Sequence, residues 1–399
     1  MSLAQTSQRS SVPGIQAPPI GEVENDRQRP TQGCYEWMDN LRLVLIVGVI
    51  GAHVASAYVI DSDWYYMERT TKALTELAFG IVVFMGGLFG MGLLFLVAGL
   101  LTPPAFARKG PRLFIRDRVL RLGFPLVVFI AVIDPLTDYI GHRAMGQADG
   151  FLDYLGTWIR QDADAGPAWF IAALLAFSLV YAAWRTAVPA GSVSGLPFRG
   201  TQLVGFGMFI VGASFLTRLV WPFMSDSIFG LNLWEFPQMM AMFALGAQAA
   251  ERGWAGGPIP DRLWRTCRRT AVAGMVMLVL LVAVAGGSDD ESALLGGFHV
   301  QALAIPIVEA TVAIGMSLWT LEWFRRRWNR SSSMSRAASR ASYAAYLVHA
   351  PAVVLLSVAL GWVAVPVEIK FVVVFFAGVP VAFILGWLAT RSRVIGRVI

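Results

Sequence analysis

Cysteine is almost absent from this chain and histidine is rare. Cys34 and Cys267 are its two cysteines, no CxxC pair occurs, and the four histidines do not cluster at ligand spacing. Both cysteines fall on the predicted cytoplasmic side, where thiols stay reduced. The sequence therefore supports neither a disulfide nor a structural metal site, and we expect no bound metal and no bound cofactor.

Charged residues are also scarce. They make up 15% of the 399 residues, whereas 56% are hydrophobic and the mean hydropathy is +0.60. Soluble proteins of this length are far less apolar, so the composition predicts an all-α, polytopic transmembrane helix bundle with the lipid bilayer as its surroundings. The net charge of +6 does not indicate nucleic-acid binding, because the arginines flank apolar runs and form no basic domain.

Long polar segments are missing between the apolar runs. None of these connections is long enough to fold as a separate soluble domain, so any chemistry must be done by the membrane bundle. Residues 1–33 are polar, Pro-rich and without the hydrophobic segment of a cleaved signal peptide. We therefore predict a disordered cytoplasmic tail over 1–34 and one membrane-embedded domain over 35–399.

Ten apolar runs of about 20 residues fit the hydrocarbon thickness of a bilayer. Their approximate limits are 40–60, 74–101, 119–141, 168–187, 201–223, 234–251, 269–287, 299–323, 341–362 and 367–390. Lys and Arg collect in alternate loops, and 26 of the 32 basic residues lie on the side of the N-terminus. The positive-inside rule then places both termini in the cytoplasm.

The first span carries two strongly polar side chains, Arg42 and His53. Eleven residues at about 100° each return to within roughly 20° of the starting direction, so both point from one face, about 16 Å apart along the axis. Asp39 lies one turn before Arg42 and shares that face. An ionisable residue inside a span indicates a functional site. A hydrogen-bonded packing histidine and a snorkelling ion pair of Arg42 with Asp39 are the structural alternatives.

Arginines stand at the cytoplasmic end of the third span, at Arg116, Arg118 and Arg121. Guanidinium groups in that position could bind the phosphates of a nucleotide donor. Ordinary positive-inside residues would also collect there.

Polar side chains in the ninth span predict a pocket. Ser342, Tyr346 and His349 form one helical stripe, with Tyr343 on its flank. We expect these residues to orient a donor or a substrate, although helix packing explains them as well.

Three more residues are candidates for the same pocket. Glu309 lies deep in the eighth span, where a carboxyl group needs a partner or a proton. Arg218, near the outer end of the fifth span, is a candidate partner. Trp169 opens the fourth span, either as an interfacial anchor or as a platform for stacking a sugar.

Several stretches follow the order of motifs in one protein family. They are DNLR at 39–42 with the Arg-x10-His pattern of Arg42 and His53, LLFLVAGLL at 93–101, RDRVLRLGFPL at 116–126, GPAWFIAALLAF at 166–177 and ASYAAYLVHAP at 341–351. With these motifs the chain resembles the acyltransferase 3 family of integral membrane acyltransferases over residues 35–399. FPQMMAMFALGAQAAERGW at 236–254 and the terminal RSRVIGRVI are similar to the branch that contains glucan biosynthesis protein C. Ala98 departs from the family, which often has Ser there.

The resemblance implies that a cytoplasmic acyl-CoA, or a similar acyl thioester, donates its acyl group to a hydroxyl of an extracytoplasmic glycan. It also implies the inner membrane of a bacterium, with a succinyl donor in the glucan-related branch and acetyl as the commoner group across the family. His53 would act as a base or as a covalent acyl carrier, Arg42 as electrostatic support held by Asp39, and the three arginines before the third span as the donor site.

A different class of function also accounts for the buried polar residues. A proton-coupled transporter could use His53, His349 and Glu309 as a relay. The absence of a convincing internal repeat weakens this alternative. The glycine-rich face of the second span is compatible with internal packing or with a homodimer.

Overall fold

The computed structural model describes nine segments of the chain. These are residues 36–59, 62–70, 72–161, 163–188, 199–225, 230–254, 257–285, 292–330 and 332–392. All regular secondary structure in these segments is helical, which confirms the predicted all-α class. The tail predicted over 1–34 lies outside the described residues.

Fourteen α-helices follow one another within the described segments. They are α1 (Glu36–Ser56), α2 (Ala73–Met85), α3 (Gly92–Arg118), α4 (Phe124–Val128), α5 (Asp134–Ala144), α6 (Phe151–Gln161), α7 (Trp169–Ala187), α8 (Gly200–Thr217), α9 (Phe236–Glu251), α10 (Asp261–Ala285), α11 (Ser292–Leu295), α12 (Ala304–Arg327), α13 (Ser333–Gly361) and α14 (Val367–Arg391). Three π-helical turns, Gly86–Met91, Val119–Gly123 and Phe129–Ile133, connect α2 through α5 into one helical path.

Eight helical stretches in the described residues are long and apolar enough to cross a membrane. One of them, Ala73–Ala144, runs for 72 residues and contains two of the predicted spans. The 16-residue helix α9 stands at the predicted span 234–251. Every predicted span therefore coincides with a helix, and the chain is a multi-pass helix bundle.

The connection between the second and third predicted spans differs from the expected loop. α3 continues through it to Arg118, and the direction of the chain changes at Gly110, where φ is 71°. Glycine adopts this left-handed conformation without the steric cost of a Cβ atom. A single residue therefore makes the turn that a longer loop was predicted to make.

The helices α12 and α13 form the centre of the bundle. In their most apolar segments 67% and 56% of residues are buried, compared with at most 39% in the other six candidate spans. α1 joins the two main hydrophobic cores. Leu41 and Leu45 pack with α3, α9 and α12, whereas Ile50 and Val54 pack with α13 and α14. The face of α1 that carries His53 is thereby held in the middle of the protein.

Small residues allow α3 and α9 to pack in backbone contact. A Cβ atom added at Gly99 would lie 2.1 Å from the carbonyl oxygen of Phe243, and one added at Gly246 would lie 2.1 Å from that of Leu96. Close approach through glycine is a common way of packing helices in membranes. The contact fixes α9, and with it the polar residues at its N-terminus, against the first helices of the chain.

Candidate active site

Two histidines from different helices of the bundle meet. Nδ1 of His53 on α1 and Nε2 of His349 on α13 are 2.9 Å apart, and the two rings are tilted with centroids 4.8 Å apart. His349 is fully buried, and His53 is partly exposed. Two residues predicted separately, in the first and ninth spans, therefore form one hydrogen-bonded pair.

Hydrogen-bond chemistry assigns the protons of this pair. Nδ1 of His349 contacts the carbonyl oxygen of Tyr346, and a carbonyl oxygen only accepts, so this nitrogen carries a proton. Nε2 of neutral His349 then has a lone pair, which accepts the N–H of His53 Nδ1. Nε2 of His53 is left as the nitrogen whose lone pair is available to a substrate.

Trp64 also packs against the His53 ring. Its ring and the imidazole are stacked, with centroids 4.7 Å apart and planes 20° apart. Trp64 lies in the connection between α1 and α2 and is 6% exposed. The sequence analysis missed this residue, although three consecutive aromatic residues in a short acidic loop were a signal for a buried contact.

The loop that carries Trp64 is anchored by the next residue. The hydroxyl of Tyr65 donates to Oδ1 of Asp134, which is 1% exposed at the start of α5. Burial, and then the nearby carboxylate of Asp134, raise the pKa of Tyr65 well above its usual value, so the phenol keeps its proton and remains a donor. Asp134 therefore holds the loop in place.

His53 lines a cavity of about 600 Å³. One wall is the face of α1 from Val44 to Ser56, and a second is the chain from Ile81 to Met91, which includes the first π-helical turn. Trp169 and Tyr346, both predicted as pocket residues, also line it. Val44 and Ser56 are twelve residues apart, or about 18 Å along the helix, so the cavity runs from just beyond His53 towards the end that carries Arg42.

The far wall of the cavity carries a buried charged cluster. Nη2 of Arg218 and Oε2 of Glu309 are 2.8 Å apart, and both side chains are 1% exposed. The sequence analysis named Arg218 as a candidate partner of Glu309, and the structure brings the two side chains together. Glu235, directly before α9, interacts electrostatically with both and was not predicted. Its position after a tryptophan at the outer end of a span was the available signal.

Comparison with known families decides the class of this protein. The model of the acyltransferase 3 family, an acyltransferase domain, matches residues 35–391. The chain belongs to the acyltransferase 3 family. It has no match among curated proteins or solved structures. This membrane acyltransferase transfers groups other than aminoacyl groups.

The cytoplasmic end of the acyltransferase, assigned by the positive-inside rule, carries the remaining predicted residues of the first span. Nη1 of Arg42 and Oδ1 of Asp39 are 3.8 Å apart, and the two side chains are 42% and 47% exposed. Neither residue lines the cavity, which begins just beyond Arg42, at Val44. Arg42 and His53 are therefore at opposite ends of one path and do not touch.

The arginines before the third span of the acyltransferase have different surroundings. Arg116 is exposed. Arg121 is 3.1 Å from Asp117, measured from Nε to Oδ1. Arg118 packs its guanidinium over the Phe114 ring at 5.1 Å, its Nε has no hydrogen-bond partner among the described residues, and it interacts electrostatically with Arg42. Arg118 is the member of this group that retains free hydrogen-bonding capacity beside Arg42.

Two predicted pocket residues of α13 lie outside the cavity. The hydroxyl of Ser342 donates to the carbonyl of Ser339, and that of Tyr343 donates to the carbonyl of Arg121 at 2.8 Å. Ser342 precedes His349 by seven residues, or about 10 Å along the helix, which moves it towards the cytoplasmic end. Of the predicted stripe, Tyr346 and His349 belong to the site. Within the described residues no group of three His, Cys, Asp or Glu side chains could hold a metal ion.

Proposed function

We propose that this membrane acyltransferase moves a short acyl group, acetyl or succinyl, from a cytoplasmic acyl-CoA to a hydroxyl of an extracytoplasmic glycan, with His53 as the general base. The observation that carries the proposal is the hydrogen bond between His53 and His349 at the wall of the cavity. It leaves one basic nitrogen on His53 for a substrate and orients the ring that carries it.

The donor would enter from the cytoplasmic end. Arg118 and Arg42 offer guanidinium groups for the phosphates of CoA, and Arg116 and Arg121 extend the positive surface. The acyl-bearing arm would then lie along the largely apolar face of α1 from Val44 to Ser56. This arrangement explains why the two polar residues of the first span are separated along one helix.

The transfer step uses the pair of histidines as follows. Nε2 of His53 takes the proton of the acceptor hydroxyl while the oxygen attacks the thioester carbonyl carbon, forming the ester bond and breaking the C–S bond. The imidazolium returns its proton to the departing thiolate, which leaves as CoA thiol. His349 accepts the Nδ1 hydrogen bond throughout, and Trp64 stacks on the ring while it is positively charged.

The proposal is tested with purified protein in proteoliposomes. Acetyl-CoA or succinyl-CoA labelled in the acyl group is added on the side of the basic loops, and an oligosaccharide acceptor is enclosed on the opposite side. The expected result is labelled ester on the enclosed sugar and free CoA outside. Solute flux without thioester cleavage would contradict the proposal and favour a transporter.

A cellular experiment tests the compartment. We propose that the protein lies in the inner membrane of a bacterium and modifies a glycan of the cell envelope. Mass spectrometry of envelope glycans should show that each modified site loses the mass of one acetyl or one succinyl group when the protein is absent. Identical glycan masses in both strains would contradict it.

A further inference from the structure

The charged cluster at the far wall of the cavity has hydrogen-bonding capacity that no described residue uses. Among the described residues, Oε1 of Glu309 and Oε2 of Glu235 are buried and have no hydrogen-bond partner. Nε and Nη1 of Arg218 are also buried and have no hydrogen-bond partner among the described residues. Ser214 lies beside Glu309 and interacts with its carboxyl group, although the Ser214 hydroxyl has no partner in hydrogen-bonding geometry among the described residues. Buried polar atoms are normally paired, so this cluster is expected to meet a ligand.

Local structure holds Glu235 in this position. It ends the short 3₁₀ turn Leu233–Glu235 in front of α9, opposite the π-helical turn Gly86–Met91. The amide of Gln238 donates to the carbonyl of Leu88 at 2.7 Å and fixes the two elements together. A Cβ atom added at Gly87 would lie 2.5 Å from Oε1 of Glu235, so only glycine allows the carboxyl group to come this close.

The charge of the cluster selects the chemistry of the ligand. Two carboxyl groups, Glu235 and Glu309, share one guanidinium, that of Arg218. Acceptor oxygens of the two carboxyl groups and donor nitrogens of Arg218 both lack partners among the described residues, so a ligand whose hydroxyl groups donate and accept hydrogen bonds stabilises the site. A carboxylate or phosphate on the ligand has no proton to donate to Glu235 and Glu309, so it fits the site less well than a hydroxyl group.

Aromatic rings lie beside the carboxyl groups. Trp234, Phe223 and Trp169 all line the cavity. The rings of Phe223 and Trp234 are 4.5 Å apart, and the guanidinium of Arg218 lies 5.0 Å from the first ring centroid and 5.9 Å from the second. Aromatic faces bind the apolar face of a sugar, while carboxylates accept hydrogen bonds from its hydroxyl groups.

We propose that Glu235 and Glu309 form the binding subsite for the acceptor, and that this acceptor is a neutral sugar ring whose hydroxyls donate to the two carboxyl groups while its apolar face packs on Trp234. The inference rests on the proposed function, because it assigns a second wall to the cavity in which His53 acts. Phe223 and Trp234 belong to the connection before α9 at the outer end of the bundle, so the acceptor reaches the cavity from the extracytoplasmic side.

The experiment uses the purified full chain with acetyl-CoA and succinyl-CoA as donors. A neutral glucose hexamer is the acceptor probe, and the same hexamer oxidised to carboxylates at C6 is the anionic probe. Two rates are measured, the acceptor-independent hydrolysis of the thioester and the transfer to the hexamer. The wild type should acylate the neutral hexamer and should not acylate the oxidised one.

Two variants address the subsite. Glu235→Gln should raise the KM for the neutral hexamer about tenfold, the loss expected for one hydrogen bond. Gly87→Ala keeps every carboxyl group but displaces that of Glu235, and should have the same effect. Glu251→Gln removes a carboxylate from the opposite end of α9, where it pairs with Arg185, and should change neither rate.

The outcomes separate the two proposals. Thioester cleavage that depends on His53 but is not directed to the neutral hexamer, or a KM that is unchanged in both Glu235→Gln and Gly87→Ala, would overturn the acceptor subsite alone. Transfer to the oxidised hexamer at the same rate as to the neutral one would also overturn the acceptor subsite. Thioester cleavage that does not depend on His53 would overturn the proposed function itself.

Discussion

Nδ1 of His53 and Nε2 of His349 are 2.9 Å apart although 296 positions separate the two residues in the chain. The carbonyl of Tyr346 orders the protons of this pair, because it can only accept a hydrogen bond from His349. The hydrogen bond therefore has one direction: Nδ1–H of His53 donates to Nε2 of His349. The lone pair on Nε2 of His53 is then available to a substrate. His349 is thus a positioning residue, and His53 is the group that meets the substrate.

Replacing His349 tests this direction. In His349→Gln the amide oxygen can still accept the N–H of His53, whereas in His349→Leu it cannot. We expect His349→Leu to lower kcat by roughly 10²-fold or more, with the KM values for donor and acceptor little changed, and His349→Gln to recover a large part of the loss. Steady-state kinetics of acyl transfer measure the difference. Equal kcat in the Leu and Gln variants would mean that the hydrogen bond has no role in the reaction.

Trp64 should act on the charged state of His53. Its ring is stacked on the imidazole, and an aromatic face attracts a cation by about 0.5–2 kcal/mol. Trp64→Leu should therefore lower kcat roughly 3- to 30-fold without changing the KM values. Trp64→Phe, which keeps an aromatic face, should restore most of the rate. A loss of rate in both variants to the same extent would assign Trp64 a packing role only.

The buried pair of Arg218 and Glu309 predicts an asymmetric effect on stability. Arg218→Met leaves two buried carboxyl groups without their cation and should destabilise the protein by roughly 3–5 kcal/mol. The double variant Arg218→Met with Glu309→Met should lose less stability than Arg218→Met alone. Thermal unfolding in detergent measures both.

A control for this comparison is available at the cytoplasmic end. The half-exposed pair of Arg42 and Asp39 should contribute only about 0–1 kcal/mol, so Arg42→Met should leave the unfolding temperature nearly unchanged. A double variant at the buried pair that is less stable than Arg218→Met would refute the assigned charge balance.

Arg118 should dominate the binding of the donor. It has free hydrogen-bonding capacity beside Arg42, whereas Arg121 is engaged by Asp117. Arg118→Gln should raise the KM for acyl-CoA about tenfold, with a smaller effect of added salt than in the wild type. Arg112→Gln, at an exposed arginine on the same side, is the matched control and should have little effect. A larger increase in the KM for acyl-CoA in Arg112→Gln than in Arg118→Gln would exclude Arg118 as the main donor contact.

Much of the fold was predictable because the bilayer imposes a strong pattern on the sequence. A span needs about 20 apolar residues, and that length identified every helix that crosses the bundle. The common face of Arg42 and His53 followed from helical periodicity alone. The structure places the cavity along that face, from Val44 to Ser56.

Contacts between helices were not predictable in the same way. Periodicity marked His349 as polar and inward, but its pairing with His53 depends on how α1 packs against α13. Trp64 lies within a connection and Glu235 lies directly before a helix, and such positions have no periodic signal. Ser342 and Tyr343 share a helix with His349, and the sequence could not show that the cavity ends before it reaches them.

The most direct test of the central proposal is the rate of acyl transfer by purified His53→Ala, compared with the wild type at equal amounts of folded protein. Removing the only base proposed for the acceptor hydroxyl should lower the rate by roughly 10²- to 10⁴-fold or to below detection, while the unfolding temperature and the elution volume stay close to those of the wild type. A correctly folded His53→Ala protein that transfers acyl groups at the wild-type rate would contradict the assignment of His53 as the base.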